Sequence, residues 1–567
     1  MKVLIIPCAQ RLPPDMEIKF GEIPSIMVPL NKEPLMKKIY VLANMTFDLI
    51  LILTHNNSKF IQEYISQMNL VNVQILDIDK LKDIGYTISC GLNFLDTTYG
   101  LNNIRSITVN FGDTLVEDFN FSLDANIIAY ADVIDSKRWT TFEYTAGRIL
   151  NIVDKSEREI GTEFYHTFIG VFKFIDVAKF NFFLKVSLCN QKIEHYKDSF
   201  YEAIEAYNKL NDFCFFHSKM WVDLGHSDKY KFITNNETRF FNSIDIDQRR
   251  GIITKKSTDW QKLTKEIDWY LSIPKQLKYL TPHVIDFEVN SLNTYVSLEF
   301  YNYPTLQEIY VFGNYSVDRW KLIFDAIFFI QKEFSRFKKV FPKSKINKAI
   351  EEMYVDKTLS RIGECLCDKH LKMFFCSDTV SINGQEFPSL KYFLNNLNNL
   401  ATSLGLYDTN AFSPIHGDFC FSNLLYDPLT NVVRLVDPRG TFGDFKIYGD
   451  VRYEYAKISH CINGGYDLIV RDFFKIEVND RDIKFKVKED EKYSAIKCLF
   501  KHKLDSLGVS NQQIVFIEAI LFISMIPLHR ESPKRQIAML CTSLRLIESI
   551  LTFDTKTKSY SVNINYD

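Results

Sequence analysis

The segment that most restricts what this chain can become runs from Ser413 to Gly440, SPIHGDFCFSNLLYDPLTNVVRLVDPRG. Leu424-Leu425-Tyr426 reads as a short strand, Asp427 to Asn431 as a turn and Val432 to Val436 as its partner, so the spacing predicts a hairpin. A hairpin there returns Asp437 to the side of Asn423, with His416-Gly417-Asp418 in the loop just ahead. These residue types suit phosphoryl transfer. Asp418 can orient an attacking hydroxyl and accept its proton, while Asn423 and Asp437 supply oxygens for Mg²⁺ across nucleotide phosphates. Any one of them also serves as an ordinary turn residue or strand-end cap; the combination in this order carries the chemistry.

HGDFCFSN followed by VDPRG resembles the aminoglycoside phosphotransferase and choline kinase family, whose loop reads H-x-D-x-x-x-x-N and whose metal aspartate lies in I-D-W/F/P. It is most similar to the sub-group fused behind a nucleotidyltransferase in bacterial surface-polysaccharide pathways. The resemblance implies a two-lobed α+β kinase-like domain over residues 237–567, with an N-lobe to about 315 and a C-lobe from about 316, using ATP and Mg²⁺. Phe240 to Ile246, a turn at Asp247 to Arg250 and Gly251 to Lys256 resemble its first strands. Strand alternation puts Lys255 on the face of apolar Ile253 as the phosphate-binding lysine, with Lys256 the alternative one face over. Glu266, in the helical pattern Leu263 to Leu271, is placed to pair with it, or is a solvated helix charge. No Gly-rich loop precedes Lys255, so the 242–250 hairpin is left to cover the phosphates. Tyr295 to Phe300 leads into a hinge-like YNYPTL, where backbone near Glu299 and Tyr301 would read the adenine edge. Helices are expected at Trp320 to Phe334 and Leu390 to Leu404. Asp450, in YGDVRYEYAK, resembles the aspartate that buttresses the catalytic loop. His529 and Arg530 either face the acceptor or close a helix. The missing DFG and APE signals disfavour a protein kinase.

The first 236 residues read differently. Lys2 to Pro7, Phe47 to Thr54 and Ile104 to Asn110 are apolar strands alternating with helical stretches at Pro34 to Met45 and Lys59 to Met68, which implies a mostly parallel α/β sheet. Ligands then bind at the carboxyl ends of the strands, where Arg11 and Asp113 fall. These features are similar to the Rossmann-like sugar-phosphate nucleotidyltransferases. That likeness implies Asp113 and Asp223 as the metal aspartates, Lys155 as the lysine on the sugar phosphate, and Gly170 in FIGVF beyond it. Two departures stand out: the usual Gly-x-Gly-x-x-Arg loop is CAQRLPP, without a glycine, and Ser25 stands where the family has a lysine. Arg11, Lys19 or Lys32 would have to compensate, or the domain is retained for binding alone.

A chain of 567 residues with 46% hydrophobic and 24% charged residues is globular and too long for one core. Its net charge of −2 gives no electrostatic case for nucleic acid or an anionic membrane. The 11 cysteines lack CxxC pairs, as in a reducing cytoplasm, and Cys365, Cys367, His370 and Cys376 do not have a usual zinc spacing. The opening MKVLIIPCAQ reads as a strand, not a leader, and Ile514 to Leu528 as a core helix, not a membrane span. The expected protein is a cytoplasmic bifunctional enzyme with nucleotides and a small alcohol as its partners. Its kinase would phosphorylate a sugar, polyol, amino alcohol or hydroxy acid, and its front domain would couple the product to a nucleotide, most plausibly from CTP. The alternatives are a kinase with an inactive front domain and a nucleotide-binding pseudoenzyme. The sequence leaves a homo-oligomer open.

Overall fold

The computed structural model describes residues 1–30, 33–134, 136–155, 164–190, 198–225, 242–291, 294–365 and 368–563. Lys32, Cys367, the polar run 235–238 and Phe240 therefore lie outside the described residues. The chain forms two compact units, Met1–Asn236 with Phe312–Asn314, and Glu237–Val311 with Tyr315–Asp567.

In the first unit, strands Ser106–Asn110, Lys2–Pro7, Leu49–Thr54 and Val73–Asp77 lie side by side and parallel, in that order. The helices Leu35–Ala43, Ser58–Met68 and Ile84–Tyr99 fill the connections. The central strands are largely apolar because both faces are covered: every residue of Leu49–Thr54 is buried. Ile5, Leu51, Leu92, Val109, Phe172 and Phe200 belong to the core on one side. Beyond Ser106–Asn110 the sheet turns antiparallel through Tyr165–Phe174, which pairs with both Ile127–Val133 and Thr141–Thr145. The expectation of a mostly parallel sheet therefore holds for the four strands from Ser106–Asn110 to Val73–Asp77; beyond them the pairing is mainly antiparallel, with Cys214–His217 parallel to Ile127–Val133. Where no helix lies between strands, tight turns reverse the chain: Ala146 and Gly147, at φ 42° and 81°, turn Thr141–Thr145 into Arg148–Val153.

The second unit opens with a four-stranded antiparallel sheet, ordered Asn242–Asp247, Ile252–Ser257, Tyr295–Glu299, Val284–Glu288. The helix Trp260–Ser272 follows the second strand, started by the Asp259 side chain accepting from Lys262 N at 3.2 Å. The remainder is mainly helical. Asn511–Met525 is apolar all round, and Ile514 through Ser524 are buried. Extended to His529 it has the length and mean hydropathy, 1.5, to cross a membrane, yet 72% of that window is buried inside the fold; it is packed as a core helix. The single helix expected at Leu390 to Leu404 is two, Leu390–Asn395 and Leu397–Ser403, broken at Asn396, whose side-chain amide donates to Tyr560 O at 3.0 Å.

Candidate active site

Three charged groups meet where the small sheet faces the hairpin. Lys255 Nζ donates to Glu266 Oε2 at 2.7 Å and to Asp437 Oδ1 at 2.9 Å. Burial opposes the lysine's charge, but Asp437 and Glu266 outweigh it and hold the ammonium above its ordinary value. Burial pushes Glu266 up to about 7 despite Lys255. The Asp437 side chain keeps 58% of its surface open, though the cleft walls crowd it. That crowding would raise its carboxyl; Lys255 outweighs it and holds the group below the usual range. Lys256 points to the other face and is exposed, so the geometry separates the two lysines that alternation left open.

The loop is shaped by two left-handed residues. Gly417 has φ 79°, and a Cβ there would lie 2.9 Å from Arg439 Cβ; Asp437 has φ 55° and its N–H donates to Tyr270 OH at 3.2 Å. His416 donates from Nε2 to Val436 O at 2.9 Å and accepts at Nδ1 from Asp418 N at 3.3 Å. It is therefore a neutral post that ties the loop to the hairpin, and burial holds it down at about 4. Leu424–Asp427 pairs with Val432–Leu435, and Val436 N donates to Asn423 O at 3.1 Å, which sets Asp437 beside Asn423. Asn423 Nδ2 donates to Asp418 O at 2.9 Å and to Asp418 Oδ2 at 3.1 Å. Its amide nitrogen is thereby fixed against Asp418, and its carbonyl oxygen accepts from Ser422 Oγ at 3.3 Å.

Two residues that shape this loop were not singled out from sequence. Glu454, fully buried, accepts from His416 N at 2.8 Å and from Gly417 N at 2.9 Å; burial pushes it up to about 7. Lys457 Nζ pairs with Asp418 Oδ1 at 2.9 Å. Burial would raise the Asp418 carboxyl, but Lys457, then His416 and Arg439, outweigh it and hold it well below the usual range. The expected buttress, Asp450, does something else. It caps the helix Val451–Ile462 through Arg452 N at 3.0 Å and is held by the Arg452 guanidinium and by Tyr354 OH. The YEYAK spacing carried the signal, since Glu454 and Lys457 are three apart on one helix face. In the stretch expected to act as a hinge, Glu299 Oε2 accepts from Tyr301 OH at 2.8 Å, and Tyr301 stacks on Tyr303. His529 reaches Tyr466 OH at 3.4 Å and Glu531 at 3.1 Å.

In the first unit, Trp221–Asp223 pairs antiparallel with Thr114–Val116, opposing Asp223 to Thr114. This brings Asp113 and Asp223 together. A Cβ on Gly225 would lie 2.9 Å from Asp113 Oδ2 and 2.9 Å from Asp223 Oδ1, so the two oxygens are within twice that distance. Leu224 N donates to Asp113 O at 2.8 Å and Gly225 N to Asp223 Oδ1 at 2.7 Å. Gly112 has no room for a side chain, since a Cβ would sit 2.5 Å from Cys8 Cβ. Arg11 and Lys155 are exposed, the latter at φ 38°; among the described residues neither makes a hydrogen bond or ion pair to the two aspartates. Ser25 begins a single 3₁₀ turn, Ser25–Met27. No cluster of three or more His, Cys, Asp or Glu suited to a metal occurs among the described residues. Mg²⁺, which takes one or two carboxylates and leaves the rest to phosphates and water, fits Asp437 with Asn423, and Asp113 with Asp223.

An α/β unit with paired aspartates is thus joined to a unit that sets a four-stranded antiparallel sheet before a mainly helical part and holds a lysine, a glutamate and an Asp-Asn-Asp loop. No family model matches the chain, and no curated protein matches its sequence. Among solved structures it is similar to a CTP:phosphocholine cytidylyltransferase (LicC) from Streptococcus pneumoniae, at 15% identity and TM-score 0.33 over 41% of this chain and 97% of that one. HddC from Yersinia pseudotuberculosis, complexed with GMP-PN, gives 16% identity and TM-score 0.30 over 41% and 98%. A thermostable mutant of aminoglycoside phosphotransferase APH(4)-Ia gives 11% identity and TM-score 0.36 over 55% and 92%. At these scores the likeness carries no weight for function, which rests on the residues above.

Proposed function

We propose that the chain is a bifunctional enzyme. Its second unit transfers the γ-phosphoryl group of ATP to a hydroxyl of a small acceptor, and its first unit couples that phosphomonoester to a nucleotide from CTP, for surface-polysaccharide synthesis. The observation that carries the reading is the convergence of Lys255, Glu266 and Asp437 across one cleft with Asp418 and Asn423 on the adjoining loop. Lys255, oriented by Glu266, holds nucleotide phosphates. Asp418 is kept ionised by Lys457, so it accepts the hydrogen bond of the attacking hydroxyl and orients its lone pair without holding a proton beforehand. Bound Mg²⁺, held by Asn423 and Asp437, supplies charge stabilisation to the phosphates.

In the first unit, Asp113 and Asp223 would hold a second Mg²⁺, which would supply charge stabilisation to the nucleotide phosphates. A second reading, a kinase whose front unit binds nucleotide without turnover, is favoured by Ser25 in place of a lysine and by the glycine-free loop ahead of Arg11. The two are separated by assaying ADP formation and pyrophosphate release in parallel. Asp418→Asn should abolish only the first when the phosphomonoester is supplied. Pyrophosphate release that Asp113→Asn does not alter would leave the front unit non-catalytic.

A further inference from the structure

Behind Asp418 the helical lobe gathers positive charge that the phosphoryl-transfer scheme does not use. Tyr453 is its centre: Arg439 Nη1 donates to Tyr453 OH at 3.1 Å, Lys357 Nζ lies 5.9 Å from the ring centroid and Lys457 Nζ lies 6.0 Å from it. Of these three, Lys457 is matched by a carboxylate, that of Asp418. Neither Lys357 nor Arg439 has a carboxylate partner among the described residues. Arg361, one turn on from Lys357, donates to Ser524 O at 3.1 Å. Lys357 directly follows a π-helical stretch, Glu351–Asp356, a local change of pitch that is frequent at functional sites. The stretch puts Tyr354 on Asp450 and brings the Lys357 side chain to Tyr453. Burial, then Arg439, Arg361 and Lys457, hold the Lys357 ammonium well below its ordinary value, opposed by Asp418. Like charges collected in a half-buried place destabilise the free fold. A bound anion relieves that repulsion, and Arg presents a planar fork suited to carboxylate or phosphate.

We propose that the acceptor is an anion: a hydroxyl compound carrying a carboxylate or phosphate, with its acidic group held by Lys357 and Arg439 and its hydroxyl directed to Asp418. The inference rests on the kinase reading of the second unit. Neutral polyols lack the group that these cations would bind, and amino alcohols bring a charge of the wrong sign.

The test is phosphoryl transfer from labelled ATP to matched probes: D-glycerate against glycerol, gluconate against glucose, glucose 6-phosphate against glucose, and ethanolamine as the cationic case. Carboxylate and phosphate arms separate the two acidic groups. The anionic member of a pair should be preferred by about tenfold or more in kcat/KM, the scale of one charged hydrogen bond. Lys357→Gln should raise its KM by a similar factor with KM for ATP unchanged, and Lys357→Arg should restore it. Preference for neutral or cationic members, or a Lys357→Gln effect on KM for ATP alone, overturns the proposal; the latter would assign the cluster to the γ-phosphate. If no probe accepts phosphate, thermal shifts with the same anions decide. A rise in wild type that is lost in Lys357→Gln and kept in Lys357→Arg supports the site, and no rise with any anion overturns it. Failure of the kinase reading is seen separately, as ATP turnover that Asp418→Asn does not reduce.

Discussion

Replacing Lys255 with methionine should separate what the Lys255–Glu266 pair does for the fold from what it does for chemistry. The Glu266 side chain is only 5% exposed and the lysine's 16%. Lys255→Met keeps the apolar stem and removes the ammonium, leaving a buried carboxylate without its ion-pair partner. Breaking a buried pair from one side costs about 3–5 kcal/mol. Since burial already lifts Glu266 to about 7, the stranded group takes up a proton at neutral pH, which places the cost at the lower end, about 3 kcal/mol. Removing both charges in Lys255→Met/Glu266→Leu should recover most of that loss, because apolar groups of similar size replace buried pairs at little cost. Transfer from ATP should be lost in the single and the double variant alike. Hydrogen exchange of the Trp260–Ser272 helix under increasing urea reads local stability, and ADP formation reads activity. A single variant as stable as wild type, or a double variant that still transfers phosphate, would refute the reasoning.

Three further outcomes follow from the geometry. Glu454→Gln turns one acceptor into an NH₂ group facing the amide of His416 or Gly417, so the loop should lose about 1–3 kcal/mol, and kcat should fall while KM for ATP holds; steady-state kinetics with urea unfolding check both. Gly225→Ala forces a methyl group to within 2.9 Å of Asp113 Oδ2 and Asp223 Oδ1, so pyrophosphate release should drop and ADP formation should not, with about 1–3 kcal/mol lost from the first unit alone. Burial raises Glu518 from an ordinary 4.5 to about 7 against the hydrogen bonds from Ser459 and Asn463. The folded state therefore keeps a proton that the unfolded chain has released, and this stabilisation, full below the ordinary value, fades as pH rises through 7. Glu518→Gln cannot ionise, so wild type should lose stability relative to it by about 1.4 kcal/mol per pH unit across that window, measurable by unfolding at stepped pH.

The hairpin around Asp437 was legible because its signal is local: two short apolar strands, a turn of Asp-Pro-Leu-Thr-Asn and a fixed offset from Asp418. Lys255 could be narrowed to two positions by alternation, and the strand's register with Tyr295–Glu299 then turned one of them inward. Asp450 was given the buttressing role because it sits in the recognisable part of its segment, but a residue at a helix N-terminus is bound to its own helix first. Glu454, one turn inside that helix, has the reach to the loop. The charge around Tyr453 was hidden for a different reason. Lys357, Arg439 and Lys457 come from separate segments, and no periodicity in any one of them shows that they converge. The antiparallel half of the first sheet depends on hairpin reversals at residues such as Ala146 and Gly147, which a pattern of apolar strands does not reveal. Cys365, His370 and Cys376, near a metal spacing on paper, form no such cluster among the described residues; His370 pairs instead with Gln536 at 2.9 Å.

The central claim is that two chemistries run in sequence on one chain, and phosphorus NMR tests it most directly. Purified protein with Mg²⁺, ATP, CTP and a pool of hydroxy acids should build first a phosphomonoester resonance and then a pair of diphosphodiester resonances. Asp418→Asn should remove both, and Asp113→Asn only the second. A diphosphodiester that forms unchanged in Asp418→Asn from unphosphorylated acceptor, or a phosphomonoester that is the end product in wild type and Asp113→Asn alike, would contradict the account.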